Sequence, residues 1–333
     1  PNPNGLFTRE FLKSMQEPGL NVREVINKTR TTVYAKAKAV GHEQMPAIYD
    51  ESVGSFVFTP GMRREEREIQ ALKARAEAAE RKAKLAAQQA VTQQQTETAR
   101  LAKEELQKQK RVALVIGNTN YTHLPPLPYV TNEADDIANA LRRLNFSVEV
   151  HKDVDGKGAM YELIENFKDT LRAKDVGLFF YSGHSVEVGG EHYIIPTNAH
   201  IKNKNDFLGI SRYIRIAKDA ENEINIIILT ACRTNPGIKK TAVKNSDIIQ
   251  DMSNFFVAFA TSLGYVSHDP IGDGERNSPY VKHILANIEI PGIDINEMFR
   301  RVRIGVSRDT KNRQIPQNHD SLLKKFCFAG CVD

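Results

Sequence analysis

Glu223–Pro236 reads EINIIILTACRTNP. Ile224 to Leu229 form a nearly unbroken β-branched and aliphatic run, the composition of a strand buried on both faces of a parallel sheet. The run stops at Thr230 and Cys232 follows, so a thiol is delivered at the carboxyl end of a central strand, where open α/β sheets place their chemistry. By itself a cysteine is often only a small buried hydrophobe. A second stretch, VGLFFYSGH at Val176–His184, has the same shape: an apolar run, then small residues, then a histidine. Two adjacent strands of this kind present His184 and Cys232 side by side. The thiol needs that neighbour, because the thiolate is the nucleophile and a free cysteine is mostly protonated near neutrality.

Working outward from these two strands, the chain beyond Arg111 alternates strand and helix, as a doubly wound sheet requires. The strands expected are Val112–Ile116, Ser147–His151, Gly177–Tyr181, Ile224–Leu229 and Phe255–Ala260, with Lys325–Phe328 last. The helices between them are Asn132–Leu144, Ala159–Ala173 and Tyr213–Glu221, and Val186–Ile195 reads as a hairpin turning at Gly189-Gly190. The fold class expected is α/β: a mainly parallel six-stranded sheet flanked by helices, with a long helical linker ahead of it.

YSGH followed some fifty residues later by ACR resembles the caspase-like cysteine peptidases, the clan of caspases, paracaspases and metacaspases. The similarity runs from Arg111 to about Gly330. ALVIGN at Ala113–Asn118 looks like that family's first strand, and TNEADDIANAL at Thr131–Leu141 like its first helix. FFVAFATS at Phe255–Ser262 and NSPYVKHIL at Asn277–Leu285 resemble the opening of its small-subunit half.

The resemblance implies an endopeptidase acting on protein or peptide substrates, with Cys232 as nucleophile and His184 as base. Backbone N–H groups of Gly183 and Cys232 are the oxyanion donors it suggests. Glu133, Ser182 and Thr230 fall at positions that line the family's primary substrate pocket. Thr230 stands where metacaspases and paracaspases carry an acid, and Ser185 replaces the usual glycine after the histidine. Glu133 also reads as a first-turn helix residue stabilised by the helix dipole. His192 competes as a base, but its place within the hairpin suits a surface or pairing residue. The other functional class is a catalytically silent caspase-like scaffold, which would bind without cutting. The pathway implied is cell death or defence, under control by processing or by a regulatory partner or oligomer.

The chemistry implied needs no cofactor and no metal. The 333 residues carry a formal charge of +5, with 41% hydrophobic and 26% charged residues, ordinary values for a globular protein. No compact basic block interleaved with aromatics points to nucleic acid, and no apolar run approaches the roughly 20 residues that cross a bilayer. Three cysteines, Cys232, Cys327 and Cys331, are too few for a disulfide framework and suit a reducing, cytoplasmic setting.

Three regions follow from composition. Residues 111–333 form the peptidase-like domain: a large-subunit-like part at 111–236, an exposed linker at 237–253 where the family is often processed, and a small-subunit-like part at 254–330. Residues 61–110 are rich in Ala, Glu, Gln, Lys and Arg and read as one long helix. Its narrow seam (Ile69, Leu72, Ala76, Ala79) suits a charged spacer, an antiparallel packing strut or a weak coiled coil.

Residues 1–60 hold two helical patterns, Leu6–Met15 and Val22–Ala39, then a strand-like run at Ser55–Thr59. Asn4–Val33 overlays Asn277–Val306 without a gap: Pro18-Gly19 falls on Pro291-Gly292 and Glu24 on Glu297. Allowing a small deletion, Gln44-Met45-Pro46 then falls on Gln314-Ile315-Pro316, and Ser55–Thr59 on Lys325–Ala329. This is an internal repeat. Residues 1–60 are therefore expected to be the small-subunit half of an upstream caspase-like domain. A large-subunit-like polypeptide, released from the precursor ahead of Pro1, would cover it, or else another copy of this chain.

Overall fold

A computed structural model describes residues 3–51, 53–230, 253–262, 267–272 and 274–332. The chain divides into two compact units, residues 1–92 and 93–333. Helix α1 (Leu6–Met15), helix α2 (Val22–Lys38) and the first part of α3 (Arg64–Lys108) belong to the first, and the last turns of α3 to the second. The seam residues Ile69 and Leu72 of α3 are exposed, whereas Ala102 is buried under the turn at Gly330. Gly330 has φ +87°, and a Cβ there would overlap the Ala102 backbone. The Ser55–Thr59 run forms no strand; it contributes one antiparallel bridge, Val57 to Asn21.

The second unit is a three-layer sandwich. Its sheet takes β1 (Arg111–Gly117), β2 (Phe146–Lys152), β3 (Val176–Ser182), β7 (Ile224–Leu229), β8 (Phe255–Phe259) and β9 (Gln317–Asp320), in the order β2-β1-β3-β7-β8-β9. All neighbours are parallel except β8 and β9. The inner strands β1, β3, β7 and β8 are buried throughout, which is why they read as continuous apolar runs instead of alternating ones. On one face lie α4 (Val130–Arg143), α7 (Pro279–Leu285) and α8 (Ile295–Asp309), packed on Ala113, Val115, Phe180, Ile226 and Phe256. On the other lie α5 (Lys157–Leu171) and α6 (Ser211–Asp219), packed on Leu114, Ile116, Phe179 and Ile227. A small antiparallel sheet of β4 (Ser185–Val188), β5 (Glu191–Ile194) and β6 (Leu208–Gly209) follows β3. Its hairpin turns at Gly189-Gly190, both at positive φ, as the sequence predicts.

Two further expectations are corrected. The sixth strand is Gln317–Asp320, not Lys325–Phe328. Lys325–Phe328 is not paired because its carbonyls are taken elsewhere. The buried Arg111 guanidinium donates to the Phe328 carbonyl at 2.6 Å and the Cys327 carbonyl at 3.4 Å, and Ile295 N donates to the Phe326 carbonyl at 2.8 Å. Arg111 lies between the Phe146 and Phe326 rings, 5.5 and 5.2 Å from their centroids, and burial lowers its pKa to about 10.

The second correction concerns the cysteines. Cys327 and Cys331 form a disulfide, with Cα atoms 5.0 Å apart, because the turn closed by Gly330 N on the Cys327 carbonyl brings Cys331 back. Among the described residues, no helix is long and apolar enough to cross a membrane.

Candidate active site

The loop after β1 builds one wall of the site. Asn118 caps the strand: its Oδ1 accepts from Val154 N at 3.0 Å, and its amide donates to the Ile195 carbonyl at 3.1 Å. The Asp153 carboxylate then accepts from the backbone N–H groups of Thr119 and Asn120 at 2.6 and 2.9 Å and from the Asn120 side chain at 2.7 Å. These bonds fix the segment that carries Tyr121 and Pro125.

Gly183 and His184 leave β3 into this loop. The Tyr121 hydroxyl accepts from His184 N at 2.8 Å, and the Tyr181 hydroxyl donates to the His184 carbonyl at 2.8 Å. Both hydroxyls would lie 2.6 Å from a Cβ at Gly183, whose φ is +155°, so only glycine fits there. The Tyr121 ring meets the imidazole edge to face at 4.5 Å between centroids. His184 Nε2 lies 2.9 Å from the Pro125 carbonyl. A carbonyl can only accept, so Nε2 carries the hydrogen and Nδ1 is left as the basic nitrogen. Burial lowers the His184 pKa, partly offset by the Pro125 bond and by the charge of Asp269, so the imidazole is neutral near pH 7.

His184 opens on a cleft of about 460 Å³ lined also by Leu127, Tyr129, Gly183, Thr230 and residues 267–271. Thr230 N donates to the Tyr181 carbonyl at 2.9 Å, continuing the β3–β7 pairing one step beyond Leu229. Imidazole and the residue two before the cysteine thus line one cleft at the carboxyl edge of adjacent strands. Cys232 lies outside the described residues, as does most of the linker expected at 237–253.

The three pocket candidates meet; Thr230 lines the cleft, and Glu133 and Ser182 lie buried behind it. Glu133 is fully buried; its carboxylate accepts from Ser182 Oγ at 2.6 Å, Thr230 Oγ1 at 3.3 Å and Ser278 N at 2.9 Å. Burial raises its pKa, and these three donors hold it back. The carboxylate joins α4 to the ends of β3 and β7 and to the start of α7, where Ser278 caps and Pro279 occupies the first turn. The acid that lines the cleft is Asp269, which sequence reasoning missed because its loop has no periodicity. Tyr121 and Pro125 were also missed: a carbonyl contact leaves no mark on residue type. His192 is buried on β5, 3.2 Å from Ser185 Oγ and 3.8 Å from Glu187, a pairing residue of the hairpin.

A family model described as a caspase domain, of the C14 peptidases, matches residues 110–327, the span of this sheet and site. The chain belongs to the caspase-domain family. It is also 25% identical over 225 residues to mucosa-associated lymphoid tissue lymphoma translocation protein 1 of Homo sapiens, and equally to its homolog in Mus musculus. Each alignment covers 67% of this chain and 27% of the relative, so the chain spans about a quarter of the length of the curated relatives it matches. In this caspase domain, the mostly parallel six-stranded sheet carries His184 on the loop after its third strand in sequence.

Proposed function

We propose that the domain is a cysteine endopeptidase in which Cys232 attacks the substrate carbonyl and His184 moves the proton. The observation that carries this reading is the Pro125 carbonyl on His184 Nε2, which leaves Nδ1 as the basic nitrogen of a histidine that lines one cleft with Thr230, two positions before the cysteine. Cys232 is two positions after Thr230, so covalent geometry keeps their Cα atoms within about 7 Å. His184 Nδ1 takes the thiol proton and the thiolate adds to the carbonyl. The C–N bond then breaks as the imidazolium protonates the leaving amine. Water, deprotonated by the same nitrogen, hydrolyses the thioester and returns the thiol. The oxyanion donors are the N–H groups of Gly183 and Cys232; a side chain at position 183 would crowd the tyrosine hydroxyls that hold the histidine.

Asp269, exposed at the cleft, supports a preference for a basic residue before the cut bond, since a carboxylate there attracts a cation. Glu133 serves this pocket from behind, by holding Thr230 and Ser182. Control by cleavage within 237–253 or by a regulatory partner, and action in a cytoplasmic death or defence pathway, complete the reading. A positional peptide library tests the substrate class: arginine or lysine is expected before the cut bond, and Asp269→Asn should reduce that preference about tenfold. A demand for aspartate there would reject it.

A further inference from the structure

The two helix pairs of this chain are built alike. Helices α1 and α2 lie 273 residues before α7 and α8 in the gapless overlay, and each second helix starts at the matched position, Val22 and Ile295. Gly19 and Gly292, at the matched turn, have φ of +80° and +77°. Asn21 and Asp294 cap the second helices.

The downstream segments dock in the same way. Val22 N donates to the Phe56 carbonyl and Ile295 N to the matched Phe326 carbonyl, both at 2.8 Å; Gly19 N donates to the Thr59 carbonyl and Gly292 N to the Gly330 carbonyl, both at 3.0 Å, the second acceptor one position beyond the match of the first. Phe56–Phe58 and Phe326–Phe328 are edge-to-face ring pairs at 5.2 and 5.1 Å.

What differs is the cover. Tyr280, Ile284 and Phe326 are buried against the sheet and α4 or beside Arg111. Their counterparts Phe7 and Phe56 are 36% and 61% exposed, and Phe11 is only half-buried.

We propose that α1, α2 and the Phe56–Phe58 segment are the small half of a second caspase-like domain, and that their open apolar face binds the sheet half of that domain. The occupant is defined by what covers the duplicate: a parallel sheet with an α4-like helix, and an arginine opening its first strand to sit on Phe56 as Arg111 sits on Phe326. Residues 111–230 cannot serve, in this copy or another, because α7 and α8 already occupy that face. In the 93–333 unit the sheet half precedes the helix pair, and the same order assigns the occupant to polypeptide N-terminal to Leu6. The inference rests on the repeat and the family, not on catalysis.

Photo-crosslinking tests it. Benzoylphenylalanine is placed at Phe7 or Phe56 in the full-length gene product in its native host, with Lys28 as an exposed control. The crosslinked peptides are then sequenced, in otherwise native protein and in Cys232→Ala protein. The expected adducts at Phe7 and Phe56 fall in a strand–helix segment of caspase type upstream of Leu6, with none at Lys28 and no dependence on Cys232. Phe56→Ala, which removes a side chain too exposed to support its own unit, should lower the Phe7 adduct at least tenfold. Adducts within a second copy of residues 1–333, adducts to an unrelated polypeptide, no adduct, or indifference to Phe56→Ala would each overturn the proposal.

Discussion

Replacing Gly183 with alanine puts a methyl group 2.6 Å from both Tyr121 Oη and Tyr181 Oη, closer than real contacts permit, at a φ of +155°. The backbone alone costs about 1–3 kcal/mol in this glycine region. The two hydroxyls must each retreat by several tenths of an ångström, and these are the groups that hold the His184 N–H and carbonyl. The imidazole therefore moves with them. A displacement approaching 1 Å at a reacting group costs roughly 10²-fold in rate, so we expect kcat/KM to fall between about 10- and 100-fold. The assay is hydrolysis of a basic peptide substrate, paired with denaturant unfolding to measure stability. Tyr121→Phe separates the causes: it adds no bulk but leaves the half-buried His184 N–H without its acceptor, at about 1 kcal/mol. Gly183→Ala protein with wild-type rate and wild-type stability would refute the argument that the tyrosine pair positions the histidine.

The lowered His184 pKa places the acid limb of kcat/KM below the ordinary histidine value of 6.5, with activity present above it and lost as pH falls; a limb above 6.5 would contradict the burial argument. Glu133 has a raised carboxyl pKa, so it contributes stability below the unfolded carboxyl value that is lost as pH rises through the folded one. The stability advantage of wild type over Glu133→Gln should therefore shrink from acid toward neutral pH in denaturant melts, and the opposite slope would count against it. Arg111→Met keeps the packing between Phe146 and Phe326 but leaves the Phe328 carbonyl without its donor, while the Cys327 carbonyl keeps Gly330 N, an expected loss of about 1–3 kcal/mol in the same melts.

The sheet was legible because β1, β3, β7 and β8 are buried on both faces and so must be apolar without interruption. The β9 strand was not, since an edge strand of Gln317, Asn318, His319 and Asp320 buries little and its residues carry no pattern. Phe326 and Phe328 misled for the opposite reason: they are apolar because they fill core beside Arg111, not because they pair. Glu133, Ser182 and Thr230, which the resemblance puts together, do meet through hydrogen bonds. Their burial as one hydrogen-bonded cluster could not be foreseen, because sequence shows which residues meet more readily than whether water reaches them. The disulfide hid in the Cys327–Cys331 spacing, whose signal is the glycine turn at position 330.

The central claim is that His184 and Cys232 act as one unit. An arginyl peptide with an acyloxymethyl ketone warhead, followed by intact mass and peptide mapping, measures it directly. One adduct on Cys232 is expected, with His184→Ala slowing its formation by about 10²-fold or more, the range of general-base catalysis. No adduct on Cys232, or an adduct formed as fast without His184 as with it, would contradict the dyad.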